Sequence, residues 1–118
     1  MNNTLTMNVQ EEVTRIVTIT ITTRLDAFSA PEFRTQMQTL FAQGVKHLVI
    51  DLSQTPFLDS AGIAVLVSAL KQCRQRGGDV RLVNPQSEAV RRIFELTKFD
   101  RVFGMKPSAQ EAVASFYR

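Results

Sequence analysis

The sequence predicts one α/β domain: a mixed central sheet with an N-terminal β-hairpin and about four helices. Two early segments alternate apolar and polar residues, which is typical of half-buried strands. A continuous apolar run at 48–50 indicates a strand covered on both faces. Four later segments carry apolar residues at helical spacing. The 118 residues, 44% of them hydrophobic, suffice for a single core.

The hairpin is predicted from two strands with period-two patterning. Its apolar positions are Leu5, Met7 and Val9 in the first strand, and Val17, Ile19 and Ile21 in the second. Threonines alternate with the second set, and threonine suits the exposed face of a strand. The turn is expected near residues 11–14, although no Asn-Gly or Asp-Gly pair marks it. We expect this hairpin to lie towards an edge of the sheet.

The first helix is predicted to begin at Ser29, because Ser29 and Glu32 have the spacing of a capping box and Pro31 is tolerated in a first turn. Its buried stripe consists of Phe33, Met37, Leu40 and Phe41. Gly44 can end the helix in a left-handed conformation. The next strand is predicted over 45–52, in the middle of the sheet.

The second half of the chain is predicted to alternate helices with extended segments. A second helix carries the stripe Ile63, Leu66, Val67, Leu70 and Cys73 and runs to Gly77. A strand over 79–84 follows, and Pro85 ends it. The third helix buries Val90, Ile93, Phe94 and Thr97 and turns Glu88, Arg91, Arg92 and Glu95 outward. A short extended piece is expected at Val102 and Phe103.

The last helix is predicted from a second capping box. Ser108 and Glu111 form that box, and Ala109, Ala112, Val113 and Phe116 face the core. Helices on both sides of the sheet are expected, since its central strands are apolar on both faces.

Composition argues against several classes of function. The net charge of +3 is small, and the basic residues are scattered without interleaved aromatics, so a solvated surface is favoured over a nucleic-acid site. The apolar runs are far shorter than the roughly 20 residues of a membrane span, and no secretory signal is visible, which makes the cytoplasm the expected compartment. The lone Cys73 is interpreted as a packing residue. Asp26, Asp51 and Asp59 are isolated carboxylates, so neither a metal nor a cofactor is expected.

The strongest candidate for a functional residue is Ser60, which stands where a loop meets the second helix. The first amides of a helix lack intrahelical partners and carry partial positive charge, so a phosphate on Ser60 could be stabilised there. The alternative is structural: Asp59 or Ser60 is an ordinary N-cap, and Gly62 allows close packing.

The helix that follows Ser60 has a predicted outward face without a formal charge. At 100° per residue this face contains Ala61, Ala64, Val65, Ser68, Gln72 and Gln75. A small neutral surface suits the docking of another protein, although a second layer within the monomer could also cover it.

The segments 51–53 and 57–63 resemble the phosphorylation segment of STAS domains of the anti-sigma-factor antagonist type. Leu25 and Asp26 before the first helix, Gly77 and Gly78 before a strand, and the segment 94–103 resemble the same family in order and spacing. The resemblance covers nearly the whole chain and implies a STAS-like fold.

This resemblance implies a bacterial cytoplasmic regulator that binds an anti-sigma factor and thereby releases a sigma factor for transcription. The anti-sigma partner in the family is commonly also a serine kinase. The acceptor serine follows an aspartate, which corresponds to Ser60, and a serine phosphatase resets the switch. Asp26 and Asp59 match acidic positions near that serine and are expected to orient the site or contact the partner.

The chain also departs from the family pattern. Thr23 and Arg24 stand where many relatives carry Gly-Glu, which suggests altered partner choice. Ala61 replaces a frequent hydroxyl residue, so Ser60 is the only hydroxyl between Asp59 and Gly62. Ser53 and Thr55 remain nearby alternative acceptors, but neither is placed at the predicted helix start.

Two other classes of function stay open from the sequence. A serine at a strand-to-helix junction could be a nucleophile, but no Gly-x-Ser-x-Gly segment occurs, and the single His47 is expected within a strand in a structural role. A non-phosphorylated STAS adaptor in a transport or stress-signalling assembly is the alternative within the same fold. The sequence identifies neither the individual partners nor the oligomeric state.

Overall fold

The computed structural model describes residues 5–11 and 15–117 of the chain. The described strands are β1 (Met7–Glu11), β2 (Ile16–Ile21), β3 (His47–Asp51), β4 (Asp79–Val83) and β5 (Gly104–Lys106). They form a sheet in the order β1-β2-β3-β4-β5, in which β1 and β2 are antiparallel and every other neighbouring pair is parallel. The predicted mixed sheet and its edge hairpin are therefore confirmed, while the predicted hairpin turn falls largely on residues 12–14, outside the described part.

Four α-helices connect and cover these strands, as the sequence predicted. They are α1 (Ala30–Ala42), α2 (Ser60–Gln75), α3 (Glu88–Thr97) and α4 (Ala109–Ala114), with short 3-10 turns at Phe99–Arg101 and Ser115–Tyr117. Because β2, β3, β4 and β5 run parallel, each connection between them must cross over the sheet, and α1, α2 and α3 make the three crossovers. Within the described residues, no helix is long and apolar enough to cross a membrane.

The larger core lies between one face of the sheet and the helices α1, α2 and α3. Alternate strand residues such as Val17, Leu48 and Leu82 are fully buried there, together with Phe33 of α1 and Phe94 of α3. Cys73 is also buried in this core, and burial together with the nearby Asp79 carboxylate raises the pKa of its thiol to about 12. The interpretation of Cys73 as a packing residue is confirmed.

The opposite face of the sheet carries a much smaller core beneath α4. Its buried members are Ile16, Val49, Val83 and Ala112, and the half-buried Ala109, Val113 and Phe116 pack against them. The Ser108 hydroxyl accepts a hydrogen bond from the Glu111 amide at 3.1 Å, so the predicted cap of the last helix is confirmed. Helices thus cover both faces, as the apolar central strands required.

The start of α1 differs from the prediction in its chemistry. Ser29 occupies the N-cap position, but its side chain makes no capping hydrogen bond. The hydroxyl instead donates to the carbonyl of Arg24 at 2.8 Å and accepts from the Asp26 amide at 3.0 Å. The capping-box interpretation of Ser29 and Glu32 is therefore wrong, because the preceding loop uses the serine for its own hydrogen bonds.

The end of α1 follows the prediction. Gly44 has a φ of +88°, in the left-handed region that favours glycine. Its amide donates to the carbonyl of Phe41, and the Val45 amide donates to the carbonyl of Leu40. This pair of bonds is the Schellman pattern, which satisfies carbonyls at a helix end.

The region after α3 differs from the prediction in two respects. Thr97 is exposed rather than buried, and its hydroxyl donates to the carbonyl of Ile93 at 2.6 Å. The predicted extended piece at Val102 and Phe103 lies just before the strand, which spans Gly104–Lys106. The cause is the left-handed Lys98, which ends α3 and leads into a 3-10 turn that the apolar spacing did not reveal.

Candidate functional site

Two loops meet at the ends of β2 and β3 and form the framework of the site. We call residues 24–29 the Asp26 loop and residues 57–62 the Ser60 turn. The Leu25 amide donates to the carbonyl of Phe57 at 3.0 Å, and Leu25 pairs with Leu58 in an isolated parallel bridge. Both leucines are fully buried. The two segments are therefore held together by backbone hydrogen bonds over an apolar floor.

Asp59 links the two loops through both of its carboxylate oxygens. One oxygen accepts from the Gly62 amide at 3.0 Å and caps α2, as expected of an N-cap aspartate. The other accepts from the Ala27 amide at 3.2 Å, in the Asp26 loop. The Asp59 carboxylate thus orients the start of α2 and the Asp26 loop relative to each other.

Gly62 is required by close packing between the two loops. A β-carbon at this position would lie 2.3 Å from the carbonyl oxygen of Leu25 and 3.1 Å from the side chain of Leu58. The first of these atoms belongs to the backbone, so the loop would have to shift to admit even a methyl group. Gly62 therefore contributes to the site through backbone approach, with no side chain to offer a partner.

Asp26 organises its own loop in a similar way. One carboxylate oxygen accepts from the amides of Phe28 and Ser29, at 3.0 and 3.1 Å, and the other lies 3.2 Å from Nε of Arg24. Desolvation alone raises the pKa of Asp26, but the Ser29 amide, the Arg24 guanidinium and the Phe28 amide outweigh it and hold the pKa below its usual value. The carboxylate is therefore charged at neutral pH, and the Asp26 loop is rigidly bonded.

Ser60 is the first residue of α2, directly after its Asp59 cap, and its side chain is exposed. The amides of Ser60 and Ala61 lie in the first turn of α2, where helix amides have no intrahelical acceptor. A shallow groove of about 440 Å³ begins at Ser60 and runs between α2 and Phe99. It is lined by Ser60, Ile63, Ala64, Val67, Ser68, Lys71 and Phe99.

The predicted neutral face of α2 is only partly present on the surface. Ala64 and Gln75 are exposed, while Ala61, Ser68 and Gln72 are half-buried. Val65 is 3% exposed and belongs to the larger core, so its predicted outward position is wrong. It lines a narrow crevice together with Met37 of α1, because α1 packs against α2 on that side. The alternative, that a second layer within the monomer covers this face, therefore holds for Val65, while Ala64 and Gln75 stay accessible.

The alternative acceptors near Ser60 have different environments. Thr55 is 1% exposed, and its hydroxyl donates to the carbonyl of Ile21 at 2.7 Å, so it is a structural residue. Ser53 is half-buried in the turn after β3, where its amide donates to Asp51. Ser60 is the most accessible of these three hydroxyls.

Sequence reasoning missed the exposed Phe28 beside the site, and it identified Arg24 only as a departure from the family pattern. Phe28, in the Asp26 loop, is 72% exposed. The Arg24 guanidinium lies 4.1 Å from the centre of the Phe57 ring and is also paired with Asp26. The sequence does contain a signal for Phe28, because this phenylalanine lies outside every periodic apolar stripe. The stacking of Arg24 has no such signal, because it depends on the meeting of two loops that are distant in sequence.

Among the described residues, the groups that nucleophilic or metal chemistry would need are not assembled at Ser60. His47 lies in β3 and packs against Phe116 on the α4 side of the sheet, with ring centres 5.0 Å apart, which agrees with its predicted structural role. In the part of the chain that the structure describes, no three His, Cys, Asp or Glu side chains are grouped closely enough to hold a metal ion.

Comparison with known proteins gives both sequence relatives and structural neighbours. The anti-sigma-B factor antagonist of Bacillus subtilis is 29% identical over 97 residues, which cover 82% of this chain and 87% of the relative. The anti-sigma-F factor antagonist RsfA of Mycobacterium tuberculosis is 34% identical over 68 residues, or 58% of this chain and 52% of RsfA. Both are named as antagonists of an anti-sigma factor, in agreement with the predicted class of binding protein rather than enzyme.

Solved structures share the fold over almost the whole chain. An anti-sigma factor antagonist from Mycobacterium paratuberculosis has a TM-score of 0.84 and 24% identity, covering 97% of this chain and 95% of that one. The Bacillus protein SpoIIAA in its phosphorylated form has a TM-score of 0.74 and 19% identity, covering 96% and 100%. The family model for the STAS domain matches residues 7–112. The chain therefore belongs to the STAS domain family.

Proposed function

We propose that this protein is an anti-sigma-factor antagonist that binds an anti-sigma factor with serine-kinase activity and is switched off by phosphorylation of Ser60. Such a protein regulates sigma-factor-dependent transcription in the cytoplasm, and a serine phosphatase restores its active form. The observation that carries the proposal is the exposed Ser60 hydroxyl at the first residue of α2, beside the loop organised by Asp26 and Asp59.

The relatives support the class of partner. The Bacillus subtilis relative is named an antagonist of an anti-sigma factor, and its similarity extends over 82% of this chain. SpoIIAA, which shares the fold, has been solved in a phosphorylated form. A fold of this kind therefore accommodates phosphate on a STAS domain, which is what the proposal requires of this chain.

The position of Ser60 allows a phosphate without refolding. The side chain is exposed, so three added oxygens and a charge of about −1.5 to −2 remain in contact with water. The first amides of α2 and the positive end of the helix dipole favour an anion at this point. Asp59 already uses its oxygens on Gly62 and Ala27, and those bonds leave the Ser60 hydroxyl outside the capping interaction.

The same phosphate opposes docking of the partner. Unmodified Ser60 and the exposed Ala64 form a small neutral surface at the start of α2, which another protein can approach closely. A dianion there must lose water at the interface or face carboxylates of the partner, at a cost of several kcal/mol. A penalty of about 3 kcal/mol weakens binding more than a hundredfold.

Phosphorylation is tested by intact mass after incubation with ATP and each purified anti-sigma factor of the source organism. We expect the wild type to gain one phosphate and Ser60→Ala to gain none. Thr39→Ala is the matched control, since it removes an exposed hydroxyl on α1 that does not line the groove at Ser60 and should leave the modification intact. A wild type that no factor modifies, or modification that persists in Ser60→Ala, contradicts the assignment of the acceptor.

The affinity for the partner is the second test, and it distinguishes the phosphorylation switch from the alternative adaptor function. The partner should bind the wild type and Ser60→Ala with similar affinity and bind a protein with phosphoserine at position 60 at least about a hundredfold more weakly. If the phosphoserine protein binds as tightly as the wild type, the switch is refuted. Tight binding together with no modification in the kinase assay would instead identify a constitutive STAS adaptor.

A further inference from the structure

Phe28 is the most exposed phenylalanine of this chain. Phe33 and Phe94 are at most 1% exposed and build the larger core, whereas Phe28 is 72% exposed. A phenylalanine in water contributes little to folding, because the hydrophobic contribution depends on the area removed from water. The fold therefore does not explain why a large apolar ring occupies this position.

The loop that carries Phe28 is held in one conformation by hydrogen bonds. Three consecutive amides, those of Ala27, Phe28 and Ser29, donate to carboxylate oxygens at 3.2, 3.0 and 3.1 Å. Asp59 accepts the first bond, and Asp26 accepts the other two. An apolar side chain on a hydrogen-bonded loop loses less backbone freedom on binding than one on a mobile loop, so the backbone that carries the ring is prepared for binding.

Phe28 is also continuous with the Ser60 surface. Ala27, its neighbour in sequence, donates to the carboxylate of Asp59, which directly precedes Ser60. One Cα–Cα step on each side of this hydrogen bond, together with the Asp59 side chain, joins the two residues, so the backbones of Phe28 and Ser60 lie no more than about 16 Å apart. Both side chains are exposed, so one docked protein can cover the two residues together.

We propose that Phe28 is the apolar anchor with which the Ser60 surface recognises its anti-sigma factor, and that the ring enters an apolar pocket of that protein. This inference rests on the function proposed above and adds a residue that determines affinity. Large side chains held near the centre of an interface commonly supply most of its binding energy. In this arrangement Phe28 sets the affinity of the complex, and Ser60 sets its regulation.

The test uses the full chain and the purified anti-sigma factors of the source organism, with affinities measured by titration calorimetry. Replacing the ring, Phe28→Ala, should weaken binding about 30-fold, a loss typical of an interface hot spot. Phe28→Leu, which keeps an apolar side chain, should recover part of the affinity. Both variants should retain the urea midpoint of the wild type, because the ring is exposed.

Leu96→Ala is the matched control. Leu96 is an equally exposed apolar residue, 73%, on α3, and the surface crevice that it lines shares no residue with the groove at Ser60. Its variant should bind within about twofold of the wild type, a difference expected for a residue outside the interface. If Phe28→Ala also binds within twofold while the wild type binds well, the anchor is refuted and the proposed function stands. If the wild type binds none of the factors, the proposed function and the anchor fall together.

Discussion

The two faces of the sheet are held by different kinds of interaction. On the α1–α3 side, buried side chains from β2, β3 and β4 meet three helices in a continuous apolar core. On the α4 side, the buried cluster contains only Ile16, Val49, Val83 and Ala112 among the described residues. Polar groups surround that cluster: the Arg81 guanidinium donates to Ser115 and Asp79, each at 2.9 Å, and lies over the ring of Phe116.

This difference indicates that the two faces of the sheet contribute differently to stability and to function. The apolar face supports α2 and therefore the position of Ser60. The α4 face depends on directional contacts around Arg81, and such contacts respond to pH and salt more strongly than apolar packing does. Three matched experiments test whether the two faces differ in their contribution to the free energy of unfolding as much as their composition indicates.

The largest expected difference concerns Ile19 and Ile16, which lie on the same strand and point to opposite faces. Ile19→Ala should lower the free energy of unfolding by about 4 kcal/mol, because it leaves a cavity between the sheet and several helices. Ile16→Ala should cost about 2 kcal/mol, since one short helix can close over the vacated space.

Urea unfolding measures both losses, and the identical substitution makes each variant the control for the other. The two isoleucines are 0% and 2% exposed, so a difference in burial cannot explain a difference in cost. Equal losses, or a greater loss in Ile16→Ala, would contradict the ranking of the two faces.

The helix caps on the two sides provide a smaller comparison. Asp59 accepts two hydrogen bonds, from Gly62 and Ala27, whereas Ser108 accepts one, from Glu111. We therefore expect a loss of about 2 kcal/mol in Asp59→Ala and about 1 kcal/mol in Ser108→Ala, measured by urea unfolding.

The variant Asp59→Asn sharpens this test at the site. Asparagine is also a good N-cap, but it has a single acceptor oxygen, so it can retain the bond to Gly62 and lose the bond to Ala27. Its cost should lie between zero and that of Asp59→Ala. A cost equal to that of the alanine variant would indicate that the negative charge of Asp59, rather than its acceptor geometry, stabilises the two loops.

The smallest expected effect is a pH dependence confined to the α4 face. Burial lowers the pKa of His47 below its ordinary value of 6.5, the charges of Lys46 and Arg81 lower it further, and Asp79 partly opposes them. Its Nδ1 is buried and has no hydrogen-bond partner in the described structure. The unfolded chain therefore binds a proton more readily than the folded one, and stability falls as the pH drops from about 7.5 to 5.5.

His47→Gln should remove this dependence, so its unfolding free energy should stay level over the same pH interval. The pKa of Asp79 also departs from its ordinary value: burial raises it, but the Val80 amide, Arg81 and Arg74 outweigh burial and lower it. Stability from Asp79 is consequently lost only in more acidic solution, below about pH 4, where its carboxylate takes up a proton. If His47→Gln loses stability between about pH 7.5 and 5.5 as the wild type does, His47 is not the responsible group.

Much of the fold could be predicted because periodicity reports burial directly. The strand pattern of Val17, Ile19 and Ile21 and the stripe of Phe33 and Met37 both predicted residues of the larger core. Local chemistry also predicted the left-handed Gly44 and the Ser108 cap. These features depend on neighbours within a few residues, which a sequence displays in order.

For the candidate site, the sequence suggested residues but not their arrangement. Asp26, Asp59 and Ser60 were identified from the sequence, and the structure brings the two aspartates together through the amide of Ala27. The burial of Val65 and the exposure of Phe28 were not foreseen. Each depends on which helix or loop from another part of the chain covers the residue.

The sequence by itself determined the alternation of strands and helices, most of the core and the hydroxyl at the start of α2, because spacing and turn chemistry act locally. Only the tertiary structure decided that Ser29 bonds within the Asp26 loop rather than capping α1, and that Asp59 joins that loop to the Ser60 turn. For Asp59 the physical reason is that the Ala27 amide, which reaches its second oxygen, lies 32 residues away in the chain and meets it only when the sheet has formed. The partners of Ser29 are close in sequence, but the loop that presents them is bonded to the Ser60 turn through Leu25 and Phe57.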